Sequence, residues 1–213
     1  MAPRMHPFMP FDTHIRLQTI TGPVIKDAIP ALQRVRAVVF REFPYLYDGD
    51  PAVPADYLAN YARSPHAAVV MAWDGDTPIG AATCLPLADE SADTTAPFLA
   101  RGWDLARFFY YGEAVLLRAY RGQGLGVRFF EAHEAQARAC QADFACFCSV
   151  RRAADHPARP SGYVPNDRFW RARGYAPLPG MTCHFTWKET GVDEPLKHPL
   201  DFWGKSLSGV PLP

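Results

Sequence analysis

The sequence predicts a mixed α/β or α+β sheet domain, and three observations point there. Strand-like and helix-like segments follow in the order β, α, α, β, β, β, α, β, α, β. An Asp74-Gly75 turn joins two of the strands early in the chain. Later, a strand, a glycine-rich loop, a helix and another strand run in succession, as in a crossover unit.

The elements read in order as follows. His14 to Ile20 alternates apolar and polar residues, the period of a half-buried strand. Pro23 opens a helix, and Val24 to Phe43 carries Ile25, Ile29, Leu32, Val35 and Val39 at helical spacing before Pro44 breaks it. Ala55 to Arg63 reads as a second, short helix. Ala67 to Trp73 and Pro78 to Leu87 are the two arms of the hairpin, and residues 88–105, small and polar, read as a loop or insertion. Arg107 to Leu117 is a long apolar strand with Gly112 inside it; a glycine there marks a bulge or a close backbone approach. Residues 122–141 form a helix, Phe144 to Val150 a buried strand, and residues 151–165 a proline-rich basic loop. Asn166 to Arg173 is a short helix with Asn166 or Asp167 as N-cap and Gly174 just past its end. Met181 to Lys188 is the closing strand. Residues 1–13 read as a loose arm, 14–190 as the domain, and 191–213, with four prolines, as a tail over the surface.

Composition narrows the function classes. A chain of 213 residues, 48% hydrophobic, is long enough for one domain with a sizeable core. Lys+Arg and Asp+Glu are both 22, which argues against bulk electrostatic binding to nucleic acid or to an anionic membrane. The five cysteines are scattered and odd in number, unlike a disulfide framework. Cys146 and Cys148 fall on one face of a strand, lack further ligands at zinc spacing, and read as packed core thiols. No run approaches the roughly 18 apolar residues of a membrane span, and the first dozen residues fail as a signal peptide. The expectation is a reduced, cytoplasmic protein with no metal.

The stretch RGQGLG, Arg121 to Gly126, carries the chemistry. A dinucleotide fingerprint needs a glycine where Val127 stands, and a Walker loop needs Gly-Lys-Ser/Thr, so both fail. Two readings remain. One is a tight turn into a helix, which usually needs a single glycine. The other is a backbone anion cradle. Alternate glycines let a pyrophosphate approach the amides of Gly122, Gln123, Gly124, Leu125, Gly126 and Val127 at a helix start, with Arg121 as a charged fork.

Arg121-x-x-Gly124-x-Gly126, between a strand and a helix, resembles the acyl-CoA pyrophosphate loop of the GNAT superfamily of N-acyltransferases. Glu113 and Val115-Leu116-Leu117 are similar to that family's strand leading into the loop, and Phe169 to Tyr175 (FWRARGY) to the segment that closes its core. The resemblance covers residues 14 to 190. It implies a mixed six-to-seven-stranded sheet flanked by about four helices, with two splayed central parallel strands. It also implies acetyl-CoA as co-substrate and transfer of the acetyl group to a small-molecule or peptide amine by direct attack in a ternary complex. Dimers are common in such folds, so a homodimer stands beside the monomer.

The resemblance also implies roles. Backbone groups of Val115 and Leu117 would bind the pantetheine arm, and an N–H near Leu116 the thioester oxygen. Glu113 stands where many members carry a base; the other reading is a strand carboxylate turned to solvent or paired with an arginine. A base is needed because an amine of pKa about 10.4 is protonated at neutral pH. Trp170 occupies the family's usual tyrosine place and cannot donate an acidic proton, so Tyr163 is the replacement acid, or else a packing residue. Asn166 is either a CoA contact or a helix cap. Cys148 as an acylated nucleophile lacks a His/Asp partner pattern. Arg41 to Pro51 offers Tyr45, Tyr47, Asp48 and Asp50 to a cationic acceptor, or is a solvated loop. The basic run Val150 to Pro160 meets the CoA 3′-phosphate or a negatively charged acceptor, or faces solvent. The vacated tyrosine place also motivates a second class, an acyl-CoA-binding sensor on the same fold without turnover.

Overall fold

The computed structural model describes residues 14–49 and 58–213. The expected arm at 1–13, Asp50 and the first residues of the helix expected from Ala55 lie outside the described residues. Seven strands form one mixed sheet in the order β1-β2-β3-β4-β5-β7-β6. They are β1 (Ile15–Thr21), β2 (Ala68–Asp74), β3 (Thr77–Pro86), β4 (Phe108–Leu116), β5 (Phe144–Val150), β6 (Ala176–Trp187) and β7 (Leu196–Ser206). The α-helices among the described residues are α1 (Ile25–Val39), α2 (Leu58–Arg63), α3 (Ala92–Leu99), α4 (Leu125–Ala139) and α5 (Asp167–Ala172).

Local chemistry explains the first half. In the β2–β3 hairpin Asp74 faces Thr77, and Gly75 takes φ +56°, the left-handed value a two-residue turn needs. α1 buries Ile25, Ala28, Ala31, Leu32 and Val35, one face of a helix. That face meets Met71, Leu85 and Phe108 beneath α1, α2 and α3. On the opposite side α4 and α5 cover Phe109, Phe147 and Trp203. Both faces of β2 are covered, hence its unbroken apolar run.

β4 holds the expected bulge. Tyr111 faces Cys84 and Glu113 faces Thr83, so Gly112 is the extra residue. A Cβ at Gly112 would stand 1.9 Å from Tyr61 Oη and 2.9 Å from Thr83 Oγ1. Gly112→Ala is therefore expected to destabilise by about 1–3 kcal/mol, the usual penalty for overpacking a filled site. Urea denaturation checks this; a midpoint equal to wild type would show that Tyr61 yields freely.

Two expectations need correction. Residues 88–105 are not only loop: they contain α3, whose buried Thr94, Thr95 and Phe98 hide its helical period. Residues 191–213 are not only a surface tail, since β7 enters the sheet between β5 and β6. Pro199 is tolerated because β5 pairs no farther than Val150 with Leu200; beyond that, the Pro199 carbonyl accepts from the Arg151 amide at 2.9 Å. β6 also starts earlier than expected, at Ala176, with an irregular register between Pro177 and Thr182.

Candidate active site

β4 and β5 run parallel but pair only at Phe108–Tyr110 with Phe144–Cys146. Beyond the Gly112 bulge β4 stays with β3, and β5 stays with β7. A wedge opens between them, and its backbone edges are unpaired. The Leu117 amide donates to Ile79 O at 2.9 Å, on the β3 side. Strand alternation then turns the backbone of Val115 toward β3 as well and that of Leu116 toward the wedge. The N–H groups of Ala114 and Leu116, rather than groups of Val115 and Leu117, are therefore the main-chain donors that face the gap.

At the wide end of the wedge the chain enters α4. Gly122 and Gly124 adopt φ +78° and +81°, open to few residues but glycine. Among the described residues no backbone acceptor meets the amides of Gly122, Gln123, Gly124, Leu125 or Gly126; the first amide of this turn to be bonded is that of Val127, to Gly124 O. Gly122, Gln123 and Gly124 are exposed, and Leu125 is buried and anchors the turn. Five consecutive unbonded amides thus stand at the N-terminus of a 15-residue helix, the end whose dipole favours negative charge. Arg121 is engaged differently from expectation. Its fork grips Glu42 at 2.8 and 3.1 Å, and its Nε donates to Leu116 O at 2.9 Å.

Glu113 faces α1, not solvent. Its Oε1 accepts from Arg36 Nε at 2.6 Å, and its Oε2 is buried with no hydrogen-bond partner. Burial raises the proton affinity of this carboxyl; the Arg36 charge opposes the rise without cancelling it. Of the expected alternatives, the arginine pair is the one the geometry shows, and it leaves one carboxylate oxygen over. Sequence alone gave no sign of Arg36, 77 positions away.

A family model for the acetyltransferase (GNAT) family matches residues 32–161, more than half of the chain. The chain belongs to the GNAT acetyltransferase family. Solved structures agree in fold. An N-acetyltransferase from Staphylococcus aureus Mu50 superimposes with a TM-score of 0.60 at 11% identity, covering 92% of this chain and 99% of that one. The Salmonella typhimurium protein yncA, solved with its cofactor acetyl-CoA, gives 0.59 at 14%, covering 94% and 98%. A ribosomal-protein-alanine N-acetyltransferase from Brucella melitensis gives 0.57 at 14%, covering 90% and 99%. No curated protein matches the chain.

Within this GNAT fold the remaining residues separate clearly. Tyr45 lies at the mouth of the wedge: burial first, then the neighbouring Cys148, Glu113 and Tyr163, push its hydroxyl well above the usual phenol value. Its ring packs on Phe40 at 4.6 Å and near Trp187 at 5.9 Å. Tyr163 is half-buried, edge-on to Phe43 at 4.7 Å and under the Arg159 guanidinium at 5.1 Å. Tyr47 lies over Gly49, and Asp48 is exposed, its amide bonded to Lys188 O. Asn166 is exposed at the start of α5, makes no side-chain cap, and borders a shallow hollow shared with Phe169, whose ring faces Gly126. Trp170 is half-buried and packs against Phe147 and Trp203.

The basic run is answered within the fold: Arg151 pairs with Asp201 and Arg152 with Glu189. Cys146 and Cys148 do share a face, and Cys148 Sγ lies 3.0 Å from Tyr110 Oη. Among the described residues there is no group of three metal-ligating side chains, and no helix is long and apolar enough to cross a membrane.

Proposed function

We propose that the chain moves an acetyl group from acetyl-CoA to a primary amine by direct attack in a ternary complex. One observation carries the reading: five unbonded amides open α4 beside the wedge, and the strand at the wedge's edge carries a buried glutamate with one oxygen unpartnered. The residues fit the co-substrate. The Gly122 to Gly126 amides would hold its pyrophosphate, the wedge its pantetheine arm, and the hollow beside Asn166 and Phe169 part of its nucleotide.

Acetyl-CoA, when bound, supplies a thioester activated for acyl transfer. Glu113 Oε2 takes the proton of the incoming ammonium, directly or through a water. The Leu116 N–H donates to the oxygen on which negative charge grows. Tyr45 and Tyr163 carry the hydroxyls near the mouth that can return a proton to the leaving thiolate. Burial raises the pKa of Tyr45 and keeps its hydroxyl protonated. Tyr47 and Asp48 extend the acceptor side outward.

A thermal melt with acetyl-CoA, CoA and NAD in parallel tests the cofactor reading. A ligand at about 100 times its Kd stabilises by about 2.7 kcal/mol, an upward shift of roughly 5–10 °C for a domain of this size. Both CoA ligands should give it and NAD should not. A thiol-release screen over amines then tests transfer. Saturable binding with no thiol release for any amine is the outcome that supports a sensor on this fold instead.

A further inference from the structure

Among the described residues, the most deeply buried ion pair outside the transfer site lies just behind its acceptor side. Arg152, Glu189 and His198 come from the loop after β5, the end of β6 and β7, and their side chains are only 10%, 8% and 5% exposed. Burying such a pair costs desolvation, so the pair by itself is a weak source of stability. What the arginine does with its remaining donors is more telling.

Arg152 pairs with Glu189 and points its fork at the chain between α1 and α2. Its Nε donates to Pro44 O at 2.6 Å, and its NH2 donates to Tyr45 O at 3.1 Å. The Trp187 indole donates to the same Tyr45 carbonyl at 3.0 Å. The Trp187 ring in turn stacks on His198, with centroids 3.7 Å apart. The neighbouring backbone is stitched to the end of β6: Asp48 N–H to Lys188 O at 2.9 Å and Thr190 N–H to Leu46 O at 2.8 Å. Leu46 holds φ +53°, a conformation a branched residue keeps only under constraint. The sum of these contacts fixes where Tyr45 stands beside Glu113 and Cys148.

We propose that Arg152 is a positioning residue for the acceptor side, acting through the Tyr45 carbonyl to hold that tyrosine at the mouth of the wedge. The proposal rests on the reading of this mouth as the transfer site. The role demands an arginine. Only a planar fork reaches a carboxylate and two carbonyls at once, whereas a lysine ammonium is a point charge that can keep Glu189 company but cannot hold both carbonyls.

Arg152→Lys is the informative variant, because it retains the charge opposite Glu189. With an amine found by thiol release, it is expected to raise the acceptor KM about tenfold while leaving the acetyl-CoA KM within about twofold, the size of one or two lost hydrogen bonds. Trp187→Phe deletes the other donor to the same carbonyl and keeps a ring beside His198. It is expected to move the acceptor KM in the same sense by about threefold, and it serves alone if Arg152→Lys does not fold. Unchanged acceptor KM in the folded variants, or equal shifts in both KM values, overturns the proposal while the transferase reading stands. Wild-type protein that binds acetyl-CoA yet releases no thiol with any amine overturns the transferase reading, and this proposal falls with it.

Discussion

Glu113→Gln lowers kcat by about 10²- to 10⁴-fold, the usual contribution of a positioned base, and leaves acetyl-CoA affinity within about twofold. The geometry motivates the separation. Glu113 touches none of the Gly122 to Gly126 amides that would hold the co-substrate, and its carboxylate is buried against Arg36 of α1, just past the bulge, with Oε2 unpartnered. The pH profile gives the sharper check. A base acts only when deprotonated, and burial raises this carboxyl above the ordinary glutamate value of about 4.3. Wild-type kcat should therefore rise with pH through that raised value and then level, and the variant should lose this limb.

Linkage predicts the opposite sign for stability. A carboxyl whose folded pKa is raised binds more protons folded than unfolded. Its contribution is fully present below the unfolded pKa and is lost as pH climbs through the folded one. Gln removes that charge and keeps an oxygen for Arg36 Nε, but it also removes the charge–charge attraction of the Arg36–Glu113 pair. The two effects oppose, so the melting temperature serves as the folding control. A variant with wild-type rate and an unchanged acid limb from about pH 6 to 9 rules Glu113 out as the base.

What the sequence disclosed depends on how local the cause was. The Asp74-Gly75 turn, the Gly112 bulge and the glycine alternation before α4 are each dictated within a few residues, and each appears where expected. β7 was hidden by Pro195 and Pro199, which look like surface punctuation. The alternation of His198, Leu200 and Phe202 was present but short, and it gains its meaning only from β5 and β6 on either side. α3 was hidden because two of its buried residues are threonines; Thr95 spends its hydroxyl on the Ser91 carbonyl at 3.2 Å. The candidate site was legible in its cradle and its carboxylate, but not in what orients them. The face of Glu113 could not be read across a bulge, which reverses alternation. Arg36, Glu42 and Arg152 act over 77, 79 and 108 positions, and no local pattern announces such contacts. Arg121 shows the same limit: its place beside the glycines suggested a phosphate ligand, whereas its fork ties the loop to Glu42.

Gly124→Asp abolishes the thermal shift with CoA while the unliganded protein stays folded. Gly124 is the N-cap of α4 in a left-handed conformation. Aspartate is among the few side chains that tolerate that region, at a cost of roughly 1–2 kcal/mol. Against this, an N-cap carboxylate accepts the N–H of the second or third helical residue and faces the positive end of the helix, together worth about 1 kcal/mol. The net change in stability is therefore small. Binding is another matter. The new carboxylate takes the free Gly126 amide or the Val127 amide and puts negative charge where the pyrophosphate would lie. Hydrogen bonds to a charged group are worth about 1.5–3 kcal/mol each, so losing two weakens CoA by about 10²-fold or more. Gly124→Ala separates the causes, since it carries the backbone penalty without the carboxylate and should keep most of the CoA affinity. Equal loss in both variants assigns the effect to backbone strain. Retained binding in Gly124→Asp means that the five free amides serve something other than the co-substrate, and the transferase reading then loses the observation that carries it.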